Sequence, residues 1–255
     1  MVITVTAFVS GNLTEINRDV MGIMNTRLSC RSCALNRICL PVGLSADELS
    51  ILDSAVERGR ELRAGARLIR AGAPMDALYV VRTGSAKSCG VTSDGQEYVR
   101  AFHLPGEVTG LEGFATGRYL SEVVALEPLR YCRIPMGRLE RLMETLPGLR
   151  REMLRLLGHS LEEALRTRTE MSLIDARGRL ARFLVDLSIR LQRRSLSPTH
   201  FRLSMSRRDI AHHLGLTLET VSRSLCAFRR AGWVQVRARY IKLLQPEALA
   251  ALLVS

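Results

Sequence analysis

SMSRRDIAHHLGLTLETVSRSLCAFRRAGWV, residues 204–234, is the stretch that decides how the C-terminal third of the chain folds. Its apolar residues recur at the three- and four-residue spacing of two short helices, and Gly215 permits a tight turn between them. Ser206 with Asp209 three positions later matches a capping box, and Ala211 lets the helices approach closely. The stretch therefore predicts a helix-turn-helix. The residues expected in its core are Ile210, Leu214, Leu216, Val221 and Leu225.

The second of these helices carries three side chains of the types that contact DNA bases. Glu219, Ser222 and Arg223 lie at positions i, i+3 and i+4, so they project from one face near the helix N-terminus. Arginine can bond guanine through two hydrogen bonds, glutamate can accept one from cytosine N4, and serine adapts to several bases. The alternative is a solvated face with a Glu219–Arg223 ion pair. Within a helix-turn-helix, the base-reading interpretation is favoured.

Basic residues around the two helices are candidates for contacts with DNA phosphates, where geometry is less demanding. These candidates are Arg207, Arg208, Arg229, Arg230, Arg237 and Arg239. His212 and His213 are expected to be ordinary surface histidines. After Trp233, the sequence VQVRARYIKLL has strand character and predicts a small wing.

Positive charge is concentrated in the same third of the chain. The net charge of the 255 residues is +12. Residues 171–255 hold 15 Lys and Arg against 5 Asp and Glu, whereas residues 1–170 hold 22 against 20. A preference for arginine explains why only Lys87 and Lys242 are lysines, but it does not explain this asymmetry. The distribution favours a polyanion as the partner of the C-terminal segment.

The middle of the chain has the pattern of an antiparallel β domain. Ten glycines occur from Gly59 to Gly117 among short apolar stretches such as ALYVV and YVRAFHL. TSDGQE, residues 92–97, supplies a hairpin turn, and strands recur about every eight to twelve residues. The pattern predicts a roll or barrel.

A long helix is expected between this domain and the helix-turn-helix. Apolar positions there alternate by three and four residues, which is typical of a heptad seam. The predicted seam residues are Leu154, Leu157, Leu161, Ala164, Arg168 and Met171. The helix could simply pack inward, but pairing with a second copy is preferred because a helix-turn-helix is most useful in a dimer. Arg168 would then face its own copy, and the like charges would weaken the pair.

Cysteines are crowded upstream of the β domain. The run CRSCALNRIC places Cys30, Cys33 and Cys39 within ten residues, and Cys132 lies in a predicted strand far downstream. Thiolates are strong soft donors, and a C-x2-C spacing brings two of them around one centre, so the pattern predicts a metal or iron–sulfur site. Two further cysteines, which are expected to be small packed residues, are Cys89 and Cys226.

A β roll, a long seam helix and a winged helix-turn-helix in this order resemble the CRP/FNR superfamily of transcription regulators over nearly the whole chain. The C-x2-C-x5-C run, with one cysteine on a late roll strand, resembles the FNR branch, the fumarate and nitrate reduction regulators. The resemblance implies that Cys30, Cys33, Cys39 and Cys132 ligate an oxygen-labile 4Fe-4S cluster. The E-x-x-S-R pattern of the predicted recognition helix is likewise similar to that branch, which binds a TTGAT-type half-site.

The function that this resemblance implies is oxygen-responsive regulation of anaerobic metabolism. The chain would bind double-stranded DNA as a homodimer, with RNA polymerase as a further partner. Cluster assembly would fasten the cysteine arm to the strand bearing Cys132 and favour dimerisation. Two recognition helices would then enter successive major grooves roughly 34 Å apart on a palindromic site.

Cyclic-nucleotide sensing is a rival within the same superfamily. GEVTGLEGF, residues 106–114, resembles the start of the phosphate-binding turn. The family pattern continues to an Arg-Ser pair, whereas this sequence continues GRYLSEVVAL, with Glu122 where it would repel a phosphate. No cyclic nucleotide is therefore expected, although Arg118 could reach inward.

Other classes of function remain as alternatives. The cysteines could hold zinc as a structural staple, or cycle through a disulfide as a thiol sensor, in an otherwise similar DNA-binding regulator. An electron-transfer protein would also use a cysteine-bound cluster, but that function does not explain the basic helix-turn-helix. No catalytic constellation is evident, so an enzyme is not expected. No window approaches the roughly 18 apolar residues of a membrane helix, and the chain is expected to be cytoplasmic without a membrane partner.

The expected fold class is α+β. It comprises an N-terminal double-stranded β-helix (jelly-roll, cyclic-nucleotide-binding-like) domain, a long dimerisation helix and a C-terminal winged helix-turn-helix. The expected boundaries are residues 1–44 for an N-terminal arm with the cysteine cluster, 45–140 for the β roll, 141–173 for the dimerisation helix and 174–255 for the DNA-binding domain.

Overall fold

The computed structural model describes residues 29–40 and 42–253 of the chain. The elements of its first half, in chain order, are α1 (Ala46–Ala55), β1 (Glu57–Arg58), β2 (Arg67–Ile69), β3 (Ala77–Thr83), β4 (Ala86–Val91), β5 (Glu97–His103), β6 (Val108–Thr109), a 3₁₀ helix (Leu111–Ala115), β7 (Glu122–Ala125), β8 (Arg130–Pro135) and α2 (Met136–Thr145). Those of its second half are α3 (Pro147–Leu173), α4 (Ala176–Gln192), β9 (His200–Arg202), α5 (Arg207–Leu214), α6 (Leu218–Arg230), β10 (Val234–Arg237), β11 (Tyr240–Leu243) and α7 (Pro246–Ala251).

The strands of the first half form two antiparallel sheets that share one core. Their strand orders are β1-β8-β3-β6 and β2-β7-β4-β5. The predicted hairpin turn joins β4 to β5, and Gly95 within it has a φ of 84°. The core side chains are Ile69, Ala77, Tyr79, Val81, Ala86, Tyr119, Val123, Ala125 and Leu129. The predicted order of a β roll, a long helix and a winged helix-turn-helix is confirmed.

Two helices, not one, follow the roll. α2 ends at Thr145 and α3 begins at Pro147, whose fixed φ and missing N–H suit the first turn of a helix. The long helix therefore starts later than the expected position 141, since residues 141–145 belong to α2. The first turns of α3 pack into a core with α1 and the roll, where Leu149 and Met153 are buried. Among the helices of the described residues, none combines the length and apolar character needed to cross a membrane.

The C-terminal domain packs α4, α5 and α6 with the sheet β10-β11-β9 around residues such as Leu184 and Phe228. The predicted capping box is present. Ser206 Oγ accepts the N–H of Asp209 at 3.1 Å, and Asp209 Oδ2 accepts the N–H of Ser206 at 2.8 Å. Gly215 ends α5 with a φ of 62°, the left-handed conformation that glycine adopts without strain. The helix-turn-helix therefore forms from the local signals that predicted it.

The C-terminal domain also packs against β5 of the roll. Phe102 contacts the ring of His213 edge-on at a centroid distance of 5.0 Å, and that of Phe183 at 5.8 Å. His213 Nδ1 lies 3.1 Å from the carbonyl oxygen of Val99. Burial lowers the pKa of His213. The expectation that His213 is a surface histidine is therefore wrong, because the ring fills the interface between the domains.

His103, at the end of β5, gives the stability of the fold a testable pH dependence. Burial lowers its pKa from 6.5 to about 4, since Glu107 offsets only part of the effect. Between these values the unfolded chain binds a proton at His103 that the folded chain does not. The free energy of unfolding should therefore fall by about 1 kcal/mol for each pH unit of acidification. We expect His103→Gln to make this dependence shallower in urea unfolding between pH 6.5 and 5, with His213 supplying part of what remains.

The matched control for this prediction is His200→Gln, at an exposed position on β9. It should retain the dependence of the parent chain. Equal slopes in all three proteins would show that His103 takes up no additional proton on unfolding.

Candidate metal centre and nucleic-acid interface

Four cysteines that are distant in sequence line one pocket. Cys30, Cys33 and Cys39 lie in successive turns over residues 29–40, and Cys132 lies on β8. The pocket holds about 450 Å³ of atom-free space, counting the solvent at its mouth. The other lining residues are mostly apolar: Leu35, Asn36, Leu40, Leu52, Val56, Val80, Val81, Arg82 and Ile134. The fold thus brings all four cysteines to one place.

The segment of residues 29–40, which we call the cysteine arm, is anchored at its C-terminal end. Leu40 is only 1% exposed and packs in the core formed by α1, α3 and the roll. The N–H of Cys39 donates to the carbonyl oxygen of Leu35 at 2.9 Å, which closes a turn. The last cysteine of the arm is therefore fixed beside a buried leucine.

The N-terminal end of the cysteine arm is held by a carboxylate that the sequence analysis missed. The N–H of Cys30 donates to Asp53 Oδ1 at 2.7 Å. Asp53 also pairs with Arg58 at 2.8 Å, and Arg58 is the cross-strand neighbour of Cys132. This chain of contacts links the first cysteine to the strand region of the fourth. No local signal distinguishes Asp53, because its role depends on a contact across 23 residues of sequence.

The thiols of Cys30, Cys39 and Cys132 are poor acids. Burial raises the pKa of Cys39 to about 12, and burial together with the Asp53 carboxylate raises that of Cys30. Burial also raises the pKa of Cys132, and the positive charges of Arg82 and Arg58 offset only part of this increase. These three residues are therefore protonated thiols at neutral pH, and ligand binding through sulfur would release their protons.

The donor set suits a thiolate-bound group. Cysteine thiolates are the usual ligands of 4Fe-4S clusters, and structural zinc takes the same donors at about 2.3 Å. Within the described residues, no group of three or more His, Cys, Asp or Glu is placed to hold a metal ion. The four cysteines line one pocket, and their sulfur donors suit either group.

The predicted base-reading side chains lie on α6. Glu219 and Arg223 are exposed, and Ser222 is half-buried. Thr217 caps the helix, since its Oγ1 accepts the N–H of Thr220 at 3.1 Å. Arg223 lies 3.5 Å from the Thr220 hydroxyl, so its guanidinium stays near the helix N-terminus. Their positions suit contacts in a groove.

Exposed arginines surround this face. The predicted phosphate candidates Arg207, Arg208, Arg229, Arg230, Arg237 and Arg239 are all exposed.

Cys226 of α6 is also exposed, so the expectation that it is packed is wrong. Cys89 is half-buried, with its Sγ 3.8 Å from Glu122. Neither of these two cysteines lines the pocket.

The predicted dimer seam is only partly matched by the exposed apolar residues of α3. Leu154 and Leu161 are 64% and 62% exposed, whereas Leu157 is half-buried. Ala164 and Arg168 are exposed, and the side chain of Met171 lies outside the described residues. Leu165, which the prediction omitted, is 57% exposed. Leu154, Leu161 and Leu165 thus form an exposed apolar stripe along α3.

The two charged groups that follow the turn resembling a phosphate-binding loop make contacts within the roll. Arg118 donates to the carbonyl oxygen of Gly72 at 2.8 Å. Glu122 pairs with Arg67 at 2.6 Å. Arg118 and Glu122 therefore both bind neighbouring residues of the roll.

Known proteins match this chain along most of its length. Residues 178–252 match the Crp-like helix-turn-helix domain family, and residues 59–146 match the cyclic nucleotide-binding domain family. The chain is 39% identical to the transcriptional activator protein anr of Pseudomonas aeruginosa, over 88% of this chain and 91% of that protein. It is 36% identical to the fumarate and nitrate reduction regulatory protein of Escherichia coli K12, over 88% and 90%. The solved structure of FixK2 from Bradyrhizobium japonicum is similar with a TM-score of 0.71 and 30% identity, over 77% of this chain and 96% of that one.

Proposed function

The chain belongs to the FNR branch of the CRP/FNR family of transcription regulators, and on this premise we propose that it controls anaerobic metabolism in response to oxygen through a bound 4Fe-4S cluster. Its relatives are transcription regulators and not enzymes, so its activity is exerted on DNA. The name of the Escherichia coli relative refers to fumarate and nitrate reduction, which supports a role in anaerobic metabolism here.

One observation carries the proposal: four cysteines from two distant parts of the chain line a single pocket. Cys30, Cys33, Cys39 and Cys132 would hold the cluster. When bound, a 4Fe-4S cluster supplies an inorganic core that oxygen degrades, and so makes the attachment of the cysteine arm depend on oxygen. The apolar lining limits the access of water to the four sulfurs.

The cysteines connect two elements that support the long helix. β8, which carries Cys132, leads through α2 into α3. Leu40 of the cysteine arm shares a core with Leu149 and Met153 of α3. Fixing the arm on β8 therefore stabilises the packing at the base of α3. A ligand that binds this arrangement more tightly favours the dimer that needs it.

DNA binding in this proposal uses two copies of α6. Glu219, Ser222 and Arg223 would contact the bases of a TTGAT-type half-site. Two half-sites one turn apart, roughly 34 Å, would match a two-fold dimer. The exposed arginines around α6 would bind phosphates and give salt-dependent affinity. RNA polymerase is the proposed protein partner at promoters.

The test of this function is purification without oxygen, followed by iron, sulfide and visible-absorption analysis, and repetition after exposure to air. We expect four iron and four sulfide per chain, with absorption and operator binding that both disappear in air. Colourless protein containing zinc would favour the structural staple. Protein with neither metal nor sulfide and with a reversible disulfide would favour the thiol sensor. Either result would replace the cluster proposal.

The apolar stripe of α3 predicts a strong effect of one surface substitution. Leu161→Glu should weaken dimerisation of the cluster-loaded protein by about a hundredfold, since each of the two leucines contributes about 1.5 kcal/mol when buried. Sedimentation equilibrium without oxygen measures this effect. Because Leu161 is 62% exposed in one chain, the monomer should keep its fold.

Thr167→Glu supplies the control for the stripe, because Thr167 is exposed on the opposite side of α3. This substitution adds the same charge to the same helix and should leave the dimer intact. If both substitutions have equal effects, the two copies do not meet along the stripe.

A further inference from the structure

We propose that the turn of residues 104–107 transmits the state of the cysteine arm to the DNA-binding domain within a single subunit, with Glu107 as the positioning residue. This inference rests on the proposed function, because it concerns how the same cysteine site affects DNA binding. The turn joins β5 to β6 and is touched from two sides by parts of the chain that are distant in sequence.

The cysteine arm reaches the turn through Ile38, which directly precedes Cys39. A Cβ atom added to Gly106 would lie 3.0 Å from Ile38 Cγ1, so the isoleucine side chain rests on the bare backbone of the turn. Gly106 has a φ of 89°, and its N–H donates to the carbonyl oxygen of Val81 at 2.8 Å. Val81, the acceptor of this hydrogen bond, is also one of the residues that line the cysteine pocket. A glycine permits both the backbone conformation and the close contact.

The DNA-binding domain reaches the same turn through two arginines at the end of α4. Arg190 donates to both carboxylate oxygens of Glu107, at 3.0 and 2.6 Å. Arg194 donates to Glu107 Oε1 at 2.6 Å and to the carbonyl oxygen of Pro105 at 2.7 Å. The N–H of Leu104 donates to the same carboxylate at 3.0 Å. One carboxylate thus closes the turn and binds the other domain.

The charges in this contact are well shielded from water. The side chain of Arg194 is 6% exposed, and those of Glu107 and Arg190 are 26% and 25% exposed. Burial alone would raise the pKa of Glu107, but the two arginines hold it at about 2. The carboxylate is therefore ionised at any pH at which the protein functions, and loss of its charge would leave two guanidinium groups without their shared partner.

These contacts define a route that does not pass through dimerisation. Displacement of the cysteine arm moves Ile38 away from Gly106, which frees the turn that carries Glu107. α4 and the helix-turn-helix then lose a fixed orientation relative to the roll. Because coupling between two sites is reciprocal, weakening the Glu107 contact should also loosen the arm.

The test compares Glu107→Gln with Glu122→Gln in the full chain. Glu122 forms a similar ion pair with Arg67 on the same roll but lies outside the turn. The first measurement is the ratio of affinities of cluster-loaded and metal-free protein for a duplex with an inverted TTGAT repeat. Glu107→Gln should reduce this ratio at least about fivefold, whereas Glu122→Gln should leave it unchanged.

The second measurement is hydrogen exchange of the metal-free chain at the amides of Ile38 and Cys39, both of which donate to Leu35. Glu107→Gln should speed their exchange, and Glu122→Gln should not. This readout needs no cluster, so it decides the inference even if purified protein lacks iron and the proposed function fails.

A third variant, Ile38→Ala, removes the arm side of the contact without altering a charge. It should reduce the affinity ratio as Glu107→Gln does, and the double variant should show no further loss. It also replaces Glu107→Gln if circular dichroism shows that this variant does not fold. An unchanged affinity ratio and unchanged exchange in the folded variants, or additive losses in the double variant, would overturn the inference.

Discussion

Cys132→Ala is expected to abolish both the visible absorption of anaerobically purified protein and its specific binding to DNA. The substitution leaves three sulfur donors, all on the cysteine arm, and removes the connection to β8. Without that connection the part of the arm that precedes Leu40 is no longer fixed on β8, and the dimer that depends on this packing is disfavoured. Binding should fall to the level of non-specific DNA, a loss of roughly a thousandfold or more. Absorption spectra and operator titrations under nitrogen measure both effects.

The matched control is Cys89→Ala. Cys89 lies on β4 of the same roll and is half-buried, as Cys132 is, but it does not line the pocket. It should keep its iron, its colour and its affinity for DNA. Normal operator binding by Cys132→Ala would remove the fourth cysteine from the mechanism.

Arg223→Ala is expected to produce the largest loss among substitutions on the DNA-binding face. An arginine that bonds guanine through two hydrogen bonds contributes about 1–3 kcal/mol of discrimination. Two copies in a dimer double this contribution to about 2–6 kcal/mol, which weakens operator binding by roughly thirtyfold to ten-thousandfold. Because Arg223 is exposed and its guanidinium lies beside Thr220 of its own helix, folding should be unaffected.

Arg230→Ala separates base contacts from phosphate contacts. Arg230 is exposed at the end of the same helix, so its loss should weaken binding to operator and scrambled duplexes alike and reduce the dependence of affinity on salt. Arg223→Ala should instead affect the operator alone. Equal losses on both duplexes for Arg223→Ala would mean that this arginine binds phosphate.

The parts of the fold that the sequence predicted are those that depend on local signals. The capping box of Ser206 and Asp209 and the turn at Gly215 involve residues within one or two helical turns, so spacing alone reveals them. The hairpin at Gly95 is of the same kind. The patterns of apolar residues and glycines supplied the order of the domains, and the family resemblance suggested that four distant cysteines meet.

The contacts that the sequence did not predict join residues far apart in the chain. Asp53 holds the cysteine arm, Glu107 holds the DNA-binding domain, and His213 fills the interface between domains. Each is an ordinary polar residue within its own segment, and only the packing of another segment gives it a partner. The exposed stripe on α3 also includes Leu165, which lies beside the predicted seam and not on it.

Burial of Leu40 has a consequence for rebuilding the proposed cluster. Because this side chain is buried beside Cys39, loss of the cluster would release only the part of the arm that precedes it. Returning a short segment to its place costs less entropy than ordering a long unfolded tail. Under the proposed function, the cluster would therefore be rebuilt within the folded chain after exposure to air.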